Sequence, residues 1–227
     1  MAPPHPVPLE LTDILSGRAL GLAPGPRLPV AALTMELQRG VMGDLASFTE
    51  LAAAAQRVHL VDHAARLLAA CRARGLPVVH CTAEFGADRA GTTANTPLHT
   101  TLLRRPEHLL EGTAAVELVT GLGDSRDQIS SRRHGVSPFT GTGLHDTLQE
   151  LGVHVLVVTG VSVNLGIVGT CIEAVNLGYQ VVVASDAVAG VPDEYAEIVM
   201  RTSIALVAAL GTSEEIISAL DRVAEKH

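Results

Sequence analysis

Apolar residues fall in short runs separated by amphipathic stretches, and this alternation repeats along the chain. PVAALTMEL, from Pro29 to about Leu37, predicts a first buried strand. VVHCTA (Val78–Ala83), a short segment near Asp127–Ser130, VHVLVVTG (Val153–Gly160), YQVVVAS (Tyr179–Ser185) and SIALVAAL (Ser203–Leu210) predict five more. Nearly continuous Val-rich runs suit strands buried on both faces. Helical patterns lie between them: about Val58 to Arg74, HDTLQELG, residues 164–177, and DEYAEIVMRT. Gly75 with Pro77, and Gly178, supply stop signals. Thr212 and Glu215 have capping-box spacing for a terminal helix.

Strands that alternate with helices, joined by right-handed crossovers, give an α/β fold. The expectation is an open, mostly parallel six-stranded sheet with helices on both faces, a Rossmann-like three-layer sandwich. Ligands in such sheets sit beyond the carboxyl ends of the strands. Here those ends fall near Glu36, Cys81–Glu84, Gly160–Gly166 and Asp186. Residues 1–28 form a Pro-rich arm that cannot be regular helix or central strand throughout. The arm is expected to pack on the domain or on a neighbouring subunit. Residues 29–227 read as one domain. Within it, 84–113 carries little periodicity, which suits a lid or a subunit contact.

Composition narrows the partners. Aromatics are 2% of the chain and Trp is absent, so the core must be built from Ala, Val, Leu and Ile. The formal charge is −8 and no long basic run occurs, which argues against nucleic acid. No apolar run reaches the roughly 18 residues of a membrane span, and MAPPHPVPLELTD lacks signal-peptide features. Cys71, Cys81 and Cys171 form neither a disulfide framework nor a metal-ligand spacing. A cytoplasmic setting follows, with no cofactor and no metal expected. His80 and Cys81, adjacent in a strand, face opposite sides. His99, His134 and His145 read as polar surface residues, and the GTG at 141–143 is too short for a dinucleotide fingerprint.

Three blocks carry a family resemblance that spans roughly residues 29–220. AALTMELQRG is similar to a strand-one motif ending in Asp-x-Gln. RHGVSPFTGTGL is similar to a stretch in which a catalytic Lys stands six residues before the Phe of a Ser-x-Phe-x-Gly-Thr-x-Leu pattern. VHVLVVTGVSVNLGIVGTCIEAVNLGYQVVVASDAVAG is similar to the strand–turn–helix–strand block that holds the nucleophile. In order and spacing these blocks resemble the isochorismatase-like, or cysteine hydrolase, superfamily. For amidase members the resemblance implies an Asp–Lys–Cys triad, in which a thiolate attacks a carbonyl carbon. It also implies a tight turn, often with a non-proline cis peptide, that aims N–H groups at the oxyanion. Here that turn is Gly160-Val161-Ser162-Val163-Asn164.

All three triad positions depart from the pattern: Glu36 for Asp, Arg133 (or the adjacent Arg132) for Lys, and Gly166 for Cys. Gly166 offers no nucleophile. Isochorismatases proper, the resemblance implies, also carry Gly there. They hydrolyse a vinyl ether without a covalent intermediate, using an acidic strand-one side chain, a role open to Glu36. Arg133, a planar cation, would hold a carboxylate-bearing substrate. Val161, Ser162, Asn164, Phe139 and Cys81 are further candidates for substrate binding. Three of these have a plainer alternative: Asn164 as a turn residue, Phe139 as a core anchor, Cys81 as a small buried thiol. Cys81 is also the one credible relocated nucleophile. The expectation leans to a non-covalent small-molecule hydrolase. The alternative is an inactive member that binds a metabolite or partner protein, with Glu36 and Arg133 joined in a structural ion pair. By family resemblance the chain is a homodimer or homotetramer.

Overall fold

The computed structural model describes residues 9–25 and 27–225. Six strands form one parallel sheet: β1 (Val30–Met35), β2 (Val78–Ala83), β3 (Gln128–Arg132), β4 (Val155–Val161), β5 (Gln180–Ala189) and β6 (Ala209–Gly211). Their spatial order is β3-β2-β1-β4-β5-β6. The chain therefore reverses its direction of sheet growth between β1 and β4. The crevice beyond the carboxyl ends of those two strands is the position where open α/β sheets bind ligands.

Strand side chains alternate between two cores. Val30, Ala32, Val155 and Val157 face one, and Ala31, Leu33, Leu156 and Val158 face the other. The first core is covered by α1 (Leu11–Leu15), α2 (Thr49–Arg57), α3 (Leu60–Ala73) and α8 (Ser213–Ala224). The second is covered by α5 (Leu144–Glu150), α6 (Val168–Asn176) and α7 (Asp193–Thr202). The expected three-layer α/β sandwich is the one observed. Thr212 and Glu215 form the anticipated capping box at the start of α8. The described part of the arm packs on the domain: Ile14 and Leu15 of α1 are buried in the first core.

Several local expectations change. The helix expected from about Val58 to Arg74 is α3 (Leu60–Ala73), and a helix that was not expected, α2, precedes it, separated at His59, whose φ is +49°. The apolar run Ser203–Leu210 is not one strand. Its first half is a 3-10 turn (Ile204–Leu206), and only Ala209–Gly211 pairs with β5. The 84–113 segment contains a helix, α4 (Pro97–Leu103), with Thr96 capping its start. The helix expected over 164–177 opens with a wide π-type turn (Val163–Ile167) before α6.

Candidate functional site

Two backbone features shape the crevice. Gly160 lies opposite Met35 in the sheet register. A Cβ there would stand 2.2 Å from the Met35 carbonyl oxygen, so only glycine lets β4 approach β1 this closely. One residue beyond Met35, Glu36 adopts φ +51°, with its N–H bonded to the Cys81 carbonyl at 2.8 Å. A left-handed conformation is uncommon for a residue with a side chain. Here it turns the chain out of β1 and leaves Glu36 lining a cavity of about 290 Å³. On the β4 side, the Val161–Ser162 peptide is cis, in line with the turn that the resemblance implies.

Gln38 locks this corner. It is fully buried, donates from Nε2 to the carbonyls of Ala83 (2.9 Å) and Val116 (3.0 Å), and accepts the Ala83 N–H at 2.8 Å. The loop after β1 is thereby tied to the end of β2. The Asp-x-Gln-like block contained this residue, but sequence reasoning gave it no role.

The cavity brings together Glu36, Arg132, Ser162, Asn164 and Gly166 from the strand ends and the turn. Arg132, at the end of β3, is 7% exposed and pairs with Glu36 through Nη2. Its Nε donates to the Gly135 carbonyl at 3.2 Å, and Nη1 lies 3.5 Å from the Thr82 carbonyl. The partner expected for Glu36 was Arg133. That side chain instead points outward, 47% exposed, onto Glu111 at 2.8 Å. Adjacent residues of a strand face opposite sides, so only one of the two arginines can enter the cavity.

Gly166 is buried and lines the cavity. A Cβ at this position would lie 3.0 Å from the Val161 carbonyl oxygen and 3.1 Å from Met35 Cε. The Met35 side chain thus occupies space beside the position where a larger residue would stand.

Three candidates lie off the cavity. Val161 is buried in the first core. Phe139 is buried in the second, with its ring stacked on Tyr179 at 6.0 Å. Cys81, 1% exposed, sits in that second core beneath the Glu36–Arg132 pair, and burial pushes its thiol up to about 12. A thiol so far from ionising is a poor nucleophile. Cys71 and Cys171 are likewise buried, each pushed up to about 12.

The histidines were the residues that sequence reasoning missed. His99 and His134, expected on the surface, line the cavity with ring centroids 4.7 Å apart, joined by His108. Burial lowers the pKa of His99, helped by His134 and Arg132. Burial, with Arg105 and Arg89 nearby, lowers that of His108 to about 4. Phe48, Leu51, Phe85, Leu98 and Leu102 supply apolar wall. The arrangement suits a small ligand with an apolar body and one polar end, held against Glu36, Arg132 and the turn.

Fold and site together define an open-sheet α/β protein with a small-molecule cavity at the β1/β4 switch point. The Isochorismatase domain model matches residues 30–215, and the chain belongs to that family. It is 30% identical over 164 residues to the uncharacterized isochorismatase family protein YecD of Escherichia coli O157:H7, covering 71% of this chain and 83% of that protein. Among solved structures, an isochorismatase family protein from Desulfovibrio vulgaris subsp. vulgaris str. Hildenborough is similar, with a TM-score of 0.70 and 26% identity. That match covers 87% of this chain and 98% of the other. A cysteine hydrolase from Pseudomonas syringae pv. phaseolicola 1448A shares the fold, with a TM-score of 0.71 at 21% identity, covering 88% and 96% of the two chains. Among the described residues, no helix is long and apolar enough to cross a membrane.

Proposed function

We propose that the chain is a small-molecule hydrolase that works without a covalent cysteine intermediate. The observation that carries this reading is Gly166. It lies in the cavity beside the Glu36–Arg132 pair, at the position that corresponds by resemblance to the family nucleophile. With no side chain there and every thiol buried, covalent attack by a cysteine has no group to perform it. Water is then the nucleophile. Glu36 is the group that exchanges the proton, either with that water or with the leaving portion of the substrate. Arg132 takes the place first given to Arg133: it orients Glu36 and has guanidinium N–H groups left to meet a substrate oxygen. The carboxylate expected on the substrate becomes one of several polar ends that fit, because the guanidinium is already shared among Glu36, Gly135 and Thr82.

That sharing supports a second reading. An arginine with all three nitrogens directed at protein acceptors also suits a member that binds a metabolite or partner without turning it over. A panel of isochorismate-like enol ethers and small amides separates the two. The hydrolase reading expects turnover of at least one, with kcat/KM reduced about 100-fold or more in Glu36→Gln. Turnover unchanged in Glu36→Gln sinks the proposed role of Glu36. Thermal stabilisation by panel compounds with no product formed favours the binding protein.

A further inference from the structure

Residues 86–110 cross the cavity as one closed loop. Its base is stapled where the Phe85 N–H donates to the Leu109 carbonyl (2.8 Å) and the Glu111 N–H donates to the Phe85 carbonyl (2.9 Å). Its body contributes Leu98, His99, Leu102 and His108 to the cavity wall. A compact loop with joined ends can move as a unit when its outer contacts release. Those contacts form two clasps.

On the β3 side, Thr92 Oγ1 donates to the Arg133 carbonyl at 2.5 Å, and the Thr93 N–H donates to His134 Nδ1 at 3.4 Å. The His99 ring lies 4.7 Å from that of His134 there, tilted at 34°. On the α2 side, His108 Nδ1 meets Ser47 Oγ at 2.9 Å, and Arg105 donates to the Ser47 carbonyl at 2.7 Å. The His108 ring also lies 6.1 Å from those of Phe48 and Phe85.

We propose that residues 86–110 are a lid over the cavity, held shut by neutral His99 and His108 and released when these two histidines take up protons. The charged groups around the rings give the imidazolium forms little shelter. His108 faces Arg89 and Arg105 of the lid, and His99 faces Arg132 of β3 and His134. Of the nearby carboxylates, Glu36 is paired with Arg132 and Glu111 with Arg133. Glu50 of α2, which lines the same cavity, has no cationic partner within ion-pair distance among the described residues.

The size of the response follows from linkage. His108 titrates at about 4 when shut and near the ordinary value of about 6.5 when open. Moving from pH 7.5 to pH 5.5 then raises the open-to-shut ratio about tenfold through His108 alone. Hydrogen–deuterium exchange on the intact chain at both pH values, corrected for intrinsic exchange rates, measures this without any substrate. A negative outcome therefore leaves the hydrolase reading standing. Amides of 86–110 are expected to lose about tenfold or more in protection at pH 5.5 in the native chain. The tenfold change should vanish in the double variant His99→Leu, His108→Leu, whatever its absolute protection. Equal lid protection at the two pH values overturns the proposal. So does a fall of the same size that persists in the double variant.

Discussion

Replacing Gln38 with Leu tests whether the corner beside Glu36 is held by the hydrogen bonds of one amide. The two side chains are similar in size, so the exchange creates little cavity. What disappears is three hydrogen bonds: two from Nε2, to the Ala83 and Val116 carbonyls, and one from the Ala83 N–H to Oε1. Gln38 is fully buried, so water does not readily replace the lost partners. At roughly 1 kcal/mol per bond, with a further penalty for a buried N–H left unmade, the loss is about 3–5 kcal/mol. For a chain of this size each kcal/mol lowers the melting temperature by about 2–4 °C. Urea denaturation followed by circular dichroism should show a lower midpoint with an unchanged slope. A loss below about 1 kcal/mol would refute the reasoning and mean that the Ala83 and Val116 backbone groups find other partners at small cost. Because Glu36 lies two residues away, any turnover or ligand stabilisation found for the native chain should weaken as well.

Two further outcomes follow. Gly160→Ala places a Cβ 2.2 Å from the Met35 carbonyl oxygen at φ +121°, and should cost on the order of 4 kcal/mol or abolish soluble expression; a melting temperature within a few degrees of the native chain would contradict it. Stability should also fall on acidification. Burial lowers the pKa of His80 despite its hydrogen bond to Asp127. Burial raises that of Asp127, but hydrogen bonds from Arg72 and His80 outweigh it and leave the carboxyl below its ordinary value. Both folded-state values thus lie below the unfolded ones. The stabilisation is complete above about pH 6.5 and is lost as pH falls, first through His80 and then through Asp127. A urea midpoint that stays flat from pH 7.5 to pH 4 would refute this.

Much of the fold was legible because its strands are short Val-rich runs bounded by Gly and Pro. The errors have physical causes. The stretch TELAAAAQR has Leu51 as its one large apolar residue, so α2 buries Ala52, Ala54 and Ala55 without showing a periodic pattern. SIALVAAL is apolar throughout, and an apolar run cannot say where strand begins. Edge position limits β6 to three residues paired with β5. Helix α4 did carry a start signal, Thr96 followed by Pro97 at its first position. The polar residues around it hid that signal within what read as loop.

The site was legible by position but not by orientation. Glu36, Ser162, Asn164 and Gly166 follow from strand ends, since wherever β1 and β4 stop, the next residues border the crevice. Arg132 and Arg133 cannot be separated this way. β3 shows only a weak apolar alternation (Gln128–Arg132, with Ile129 exposed), so nothing in the sequence fixes which arginine faces in. Pairing with β2 decides it: Ala83 stands opposite Arg132, and both line the cavity. The same parity sends Cys81 into the second core with Met35, its register partner on β1. The histidines lay beyond any such argument. His99 and His134 are 35 positions apart in the chain and meet only because the 86–110 loop folds back over the strand ends. A polar residue in a segment without periodicity reads as surface. It becomes part of a cavity only when the loop has somewhere to dock, and here the docking surface is the short stretch Arg133–His134 that directly follows Arg132 and β3.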